Sequence, residues 1–164
     1  MTSRNARAAE RCGRRAAQLL DDHDTLLIVP SDGRALAALC AATPAGVTLR
    51  GSGDAAILAR LGARVSEDGD TTTIVIIEAI AAYDDGSCAL PSAATPVIAR
   101  ARAHAIPCYV LAPAGPQPRA DTLQPTPAAQ IAAILTARGT YRPTMIVRHN
   151  TDPDLPLDDV IPLS

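Results

Sequence analysis

Two hydrophobic rhythms run through the chain. From Asn5 to Leu20, the residues Ala9, Cys12, Ala16 and Leu19 return at helical spacing, which predicts a helix over about 5–20. Arg4, Arg7, Arg11 and Arg14 make a basic stripe on another face, the arrangement of a solvated helix surface. After the polar break at Asp21, Asp22, His23 and Asp24, apolar residues come instead in unbroken runs. TLLIV over Thr25–Val29, GVTLR ending near Arg50, TTTIVIIE ending at Glu78 and IPCYVLAP ending at Pro113 read as strands. Val65 opens a shorter extended piece. Between the strands, RALAALCAA from about Arg34, DAAILARLGA, and SAATPVIARARAHA with Pro96 in its first turn read as helices.

Runs without in–out alternation belong to strands buried on both faces, and strands alternating with helices build a parallel sheet. The expected fold is therefore α/β and doubly wound, a mostly parallel, Rossmann-like sheet with helices on both faces. Beyond Pro113 the Pro-rich AGPQPRADTLQPTP reads as a crossing loop or lid. PAAQIAAILTARG reads as a helix stopped by Gly139, TMIVRH as a last strand, and about 150–164 as a Pro-rich acidic tail. The expectation is one domain over 1–164.

Composition narrows what such a fold can do. The chain has no Phe, no Trp and three Tyr, so its core is built from aliphatic residues and Ala. Scarce aromatics and a net charge of −2 argue against a nucleic-acid binder. All fifteen basic residues are Arg, which excludes a Schiff-base lysine and a Walker-type phosphate lysine. Any phosphate must be held by Arg, by backbone N–H groups or by helix N-termini. The four cysteines and three histidines lack metal-ligand spacing, so no metal or cofactor is called for. No segment approaches the ~20 apolar residues of a membrane span, and no signal-peptide pattern is present, so the expected location is the cytoplasm.

In open parallel sheets ligands bind beyond the carboxyl ends of the strands. Ser31, Asp32, Gly33 and Arg34 follow the first strand here, and Arg50, Gly51, Ser52, Gly53 and Asp54 follow the second. Glu78 ends the third, with Asp84 and Asp85 beyond it. A carboxylate at the end of a buried strand meets the crevice partly desolvated, which suits proton transfer. It equally suits an ion pair with Arg34 or Arg50. The Gly51–Asp54 loop opens a helix and is able to cradle a phosphate, although Asp54 also reads as an N-cap.

The segment from Ile76 to Pro113, IIEAIAAYDDGSCALPSAATPVIARARAHAIPCYVLAP, resembles the core of the translation initiation factor 2B alpha/beta/delta regulatory subunits. Their superfamily includes methylthioribose-1-phosphate isomerase and ribose-1,5-bisphosphate isomerase. Glu78-Ala79 matches the acidic position ending the family's strand, and Asp85-Gly86 matches its loop. Thr95 stands at the helix start, Ile106-Pro107-Cys108-Tyr109-Val110 on the next strand, and Arg34 on an Arg that follows the first strand. The resemblance runs from about Leu19 to Pro113 and implies the family's Rossmann-like domain without its N-terminal helical domain. The isomerases carry Cys and Asp where this chain has Ser31 and Glu78, and Glu is the choice of the regulatory subunits. Arg50 stands in for a family Arg, and Cys88 is a candidate replacement thiol.

The resemblance implies a homodimer that binds a phosphorylated sugar or a nucleoside monophosphate without turning it over. The ligand and its phosphate would be held by Ser31, Gly33, Arg34, Arg50, Gly51, Ser52, Gly53, Asp85 and Thr95. One alternative is an aldose–ketose sugar-phosphate isomerase using Glu78 as its catalytic group. Another is a dimeric scaffold with a vestigial site.

Overall fold

The computed structural model describes residues 3–67, 71–119 and 125–146. Helix α1 (Ser3–Ala17) leads into strand β1 (Thr25–Val29), helix α2 (Arg34–Ala42) and strand β2 (Thr48–Gly51). Helix α3 (Ala55–Leu61), strand β3 (Arg64–Val65) and strand β4 (Ile74–Glu78) follow. After β4 come two short strands, β5 (Ala81–Tyr83) and β6 (Cys88–Ala89), then helix α4 (Ala94–Ala103). The chain continues through β7 (Cys108–Leu111), β8 (Pro116–Gln117), β9 (Ala133–Leu135) and β10 (Thr140–Tyr141).

Seven strands form one sheet in the order β10-β9-β7-β4-β1-β2-β3. All neighbours are parallel except β10, which runs antiparallel to β9. The continuous apolar runs explain this order. Leu26 and Ile28 of β1, with Ile74 and Ile76 of β4, face α1, α2 and α3. Leu27 and Val29, with Val75 and Ile77, face α4 on the other side. Each run is thus consumed by two cores, which fixes both its register and its lack of alternation. The doubly wound expectation holds. A separate three-stranded sheet, β6-β5-β8, lies over β7 and β9, where Ala82 and Cys88 pack with Val110, Ile134 and Tyr141.

Helix α1 lies against α2 at a distance that only a missing side chain permits. A Cβ on Gly13 would strike the carbonyl oxygen of Ala35. This contact holds the N-terminal end of α1 beside the carboxyl end of the sheet.

Three expectations are corrected. The helix expected over PAAQIAAILTARG is a single 3-10 turn, Ala128–Gln130, followed by strand β9. A short apolar run fits a helix or a buried strand equally well, and the open edge of β7 decides it through parallel pairs such as Val110 with Ile134. The last strand expected at TMIVRH is a 3-10 turn at Pro143–Met145 over its described part, and β10 takes the edge instead. The expected loop between β4 and α4 carries β5 and β6. The acidic tail at 150–164 lies outside the described residues. No helix among the described residues is long and apolar enough to cross a membrane.

Candidate functional site

From β1 the chain winds outward to β2 and β3, and from β4 it winds the opposite way to β7 and β9. The connections therefore part at the carboxyl ends of β1 and β4. A parallel sheet has its ligand crevice at such a switch point. Glu78 is the last residue of β4 and stands in that crevice, 2 % exposed.

Its carboxylate accepts four main-chain hydrogen bonds. The N–H groups of Ser31 and Gly33 donate to Oε1 at 2.8 and 2.6 Å, and those of Ala35 and Leu36 donate to Oε2 at 3.0 and 3.2 Å. Ala35 and Leu36 belong to the first turn of α2, whose N–H groups have no partner within the helix. Gly33 turns the chain into α2 at φ 83°, a left-handed conformation natural to Gly, and aims its own N–H at the carboxylate. The Arg34 N–H donates to Asp32 at 3.0 Å. Helix N-termini of this kind attract anions through their free donors and their dipole. Here the protein supplies the anion itself, from a strand reached 47 residues after Ser31.

The reading of Glu78 as an ion-pair partner of Arg34 or Arg50 is thereby corrected. Strand parity gives the reason. Glu78 shares the sheet face of Ile74 and Ile76, whereas Arg50 pairs in register with Leu27 and so lies on the opposite face. The Arg34 side chain is half exposed and its Nε lies 3.9 Å from Asp32.

Beside Glu78 opens a cleft of about 220 Å³ between the first turns of α1 and α2 and the ends of β4 and β7. Asp32, Arg34, Ala79, Ile80 and Pro113 are among its walls. Ile80 is 64 % exposed at this edge.

The structure divides the expected site residues into groups. Ser31, Gly33, Arg34 and Glu78 meet at the cleft, but the Ser31 and Gly33 N–H groups are already donated to Glu78. Gly51, Ser52 and Gly53 lie at the end of β2, where Gly53 approaches Ala93 just before α4, the helix whose first turn holds Thr95. Gly51 sits beneath Leu58 of α3, whose Cδ2 a Cβ would strike. Asp54 caps α3, accepting from the N–H groups of Ala56 and Ile57 at 2.9 and 3.1 Å. Asp85 lies in the turn between β5 and β6 and is not among the residues lining the cleft. It accepts from the Ser87 N–H at 2.9 Å and from Arg119 at 3.1 Å, and the Ser87 hydroxyl donates to it as well. The Ser87 donors, with Arg119 adding to them, hold its carboxyl below the usual aspartate range.

The thiols are buried. Cys88 lies in β6, where burial pushes it up to about 12, and Cys12 donates to the Leu135 carbonyl and is likewise pushed up to about 12. Burial also pushes Cys40 and Cys108 up to about 11. None offers a thiolate at neutral pH, which removes the support for Cys88 as a replacement nucleophile.

Sequence reasoning did not single out Ile80 or the start of α1 as parts of the cleft. No local signal marks them, because α1 reaches the cleft through tertiary packing on α2 and the sheet.

No protein-family model and no curated protein matches the chain. Solved structures do. The chain is similar to eIF2B beta from Chaetomium thermophilum, with TM-score 0.70 and 16 % identity over 93 % of this chain and 56 % of that one. It is similar to the tetrameric eIF2B beta2-delta2 complex from C. thermophilum, with TM-score 0.66 and 16 % identity over 88 % and 58 %. It is also similar to 5-methylthioribose 1-phosphate isomerase from Pyrococcus horikoshii, with TM-score 0.55 and 14 % identity over 90 % and 60 %. The fold is the one shared by these initiation-factor subunits and the isomerase, as the sequence resemblance implied. The chain spans less than two thirds of each of these relatives.

Proposed function

We propose that the chain is an initiation factor 2B-like binding domain whose switch-point cleft holds a phosphorylated sugar or nucleotide without turning it over. The observation that carries this reading is the state of Glu78. An ionised carboxylate has about four acceptor positions, and four main-chain N–H groups take them. A general base must reach a substrate proton with a free lone pair. Glu78 has its acceptor positions committed to α2, so its role in this reading is to hold the floor of the cleft. The ligand phosphate falls to the Arg34 guanidinium, which is a half-exposed wall of the cleft.

The likeness to a sugar-phosphate isomerase supports the ligand class and sets the alternative, aldose–ketose isomerisation. Calorimetry and a turnover assay with ribose 5-phosphate, 5-methylthioribose 1-phosphate and AMP separate the two. The proposal expects saturable binding of at least one of them, loss of that binding in Arg34→Ala, and no product. Isomerised product from the pure protein would end the non-catalytic reading. In the same proposal the chain works in the cytoplasm as a homodimer. The tetrameric relative and the exposed Ile80 support the dimer, and a monomer mass in light scattering removes that part.

A further inference from the structure

The switch-point cleft carries more chemistry than a phosphate needs. Of its lining side chains only Asn5, Asp32, Arg34 and Glu78 are polar, and the others are Ala, Ile and Pro. The Glu78 carboxylate is committed to four main-chain N–H groups. Three polar side chains therefore remain for a ligand. They are a guanidinium from the first turn of α2, a carboxylate from the loop before it, and the Asn5 amide from the first turn of α1.

Asp32 alters what such a cleft selects. Its Oδ1 accepts the Arg34 N–H at 3.0 Å, the local turn that an aspartate makes with the chain two residues on. Its Oδ2 lies 3.9 Å from the Arg34 Nε, too far for a hydrogen bond. The Asp32 side chain lines the cleft and is 60 % exposed, so acceptor positions remain on it. A carboxylate this near a guanidinium repels the bare oxyanion that the guanidinium attracts. The pair thus gives little preference for an inorganic anion as such. An ionised carboxylate only accepts hydrogen bonds, so it favours a ligand that carries hydroxyl donors beside its anion.

We infer that Asp32, assisted by Asn5, is the specificity-determining residue of the cleft, accepting the ring hydroxyls of a pentose phosphate whose phosphate lies on Arg34. This rests on the reading of the cleft as a phosphorylated-sugar site and narrows it. The cleft volume of about 220 Å³ falls below the roughly 300–1,000 Å³ of pockets that enclose a drug-sized ligand. It therefore takes the sugar and its phosphate and leaves a nucleobase, where one is attached, outside. The apolar walls, Ala9, Ala79 and Pro113 among them, receive the ring carbons.

The test is calorimetry on the full chain with ribose 5-phosphate, tetrahydrofurfuryl phosphate and inorganic phosphate. The second ester has the same ring without its hydroxyls. The wild type should bind ribose 5-phosphate roughly tenfold or more tighter than either of the others, the effect of hydrogen bonds to a charged group. Asp32→Asn keeps the Oδ1 acceptor that the Arg34 N–H uses, so the turn into α2 survives. It should weaken ribose 5-phosphate by roughly tenfold and leave tetrahydrofurfuryl phosphate unchanged or tighter, because no carboxylate then repels its phosphate. Asn5→Ala, at an exposed position of α1, should weaken ribose 5-phosphate by a smaller factor. A folding defect would lower both esters together. Equal loss of both esters in Asp32→Asn, or a wild type that binds all three probes alike, overturns the role of Asp32 and leaves the cleft reading standing. A wild type that binds neither ester also overturns it. If AMP and 5-methylthioribose 1-phosphate fail to bind as well, the cleft reading falls with it.

Discussion

Helices α2 and α3 begin one strand apart on the same face of the sheet, and each has its first-turn N–H groups satisfied by a carboxylate. At α3 the acid is Asp54, the residue directly before the helix, exposed and bonded to two N–H groups. At α2 the residue before the helix is Gly33, which has no side chain to offer, and the acid is Glu78, buried and arriving from β4. The first arrangement fastens a helix to its own entry loop. The second fastens β1, the loop after it and α2 to β4 across the switch point. The same bond type thus serves local structure in one place and tertiary structure in the other. Burial makes the second far more costly to remove, because orphaned donors there have no water to turn to.

Removing Glu78 is the strongest way to sharpen this contrast. Glu78→Ala leaves four buried or half-buried N–H groups without partners. It should cost about 3 kcal/mol or more, or roughly 6–12 °C in Tm for a chain of this size. The vacated donors then form an empty anion site at a helix N-terminus. Phosphate buffer should therefore raise the Tm of Glu78→Ala relative to chloride buffer, with little effect on the wild type. A small loss of stability, or an identical response to phosphate in both proteins, would refute the idea that Glu78 stands in for a bound anion.

The contrast also explains what could be read from sequence. Asp54 before an apolar helical run is a local signal, and its capping role was legible in the residues alone. Glu78 was visible as an anomaly, a carboxylate closing a buried strand, but its partners lie 42 to 47 residues away. No local pattern names main-chain donors at that distance, and the neighbouring arginines were the wrong expectation. The central strands β1, β4 and β7 declare themselves through buried apolar runs. The edge beyond β7 does not, since AAIL is too short a run to tell β9 from a helix, and pairing with β7 overrides helical propensity.

Removing Asp54 should be milder. Asp54→Ala takes away a solvent-exposed N-cap whose donors can turn to water, and should cost about 1 kcal/mol, or roughly 2–4 °C in Tm. Phosphate should not rescue it, because α3 never lost a buried anion. A loss as large as that of Glu78→Ala would erase the distinction between the two helix starts.

The smallest effect is expected at Asp85, a carboxylate that serves no helix. Its donors are Ser87 and Arg119, and its side chain is 41 % exposed. The Ser87 contacts, then Arg119, depress its folded-state pKa below the ordinary value that it regains on unfolding. A depressed pKa contributes stability above the unfolded value and loses it as pH falls through the folded one. Exposure and salt screening keep the contribution to a few tenths of a kcal/mol. Asp85→Asn should thus be slightly less stable than the wild type at neutral pH, with the gap closing as the solution is acidified below the usual aspartate range. Urea midpoints of the two proteins from pH 7 to pH 3 measure that gap. A gap that stayed constant would mean that packing of the β5–β6 turn, and not the charge on Asp85, is what the substitution disturbs.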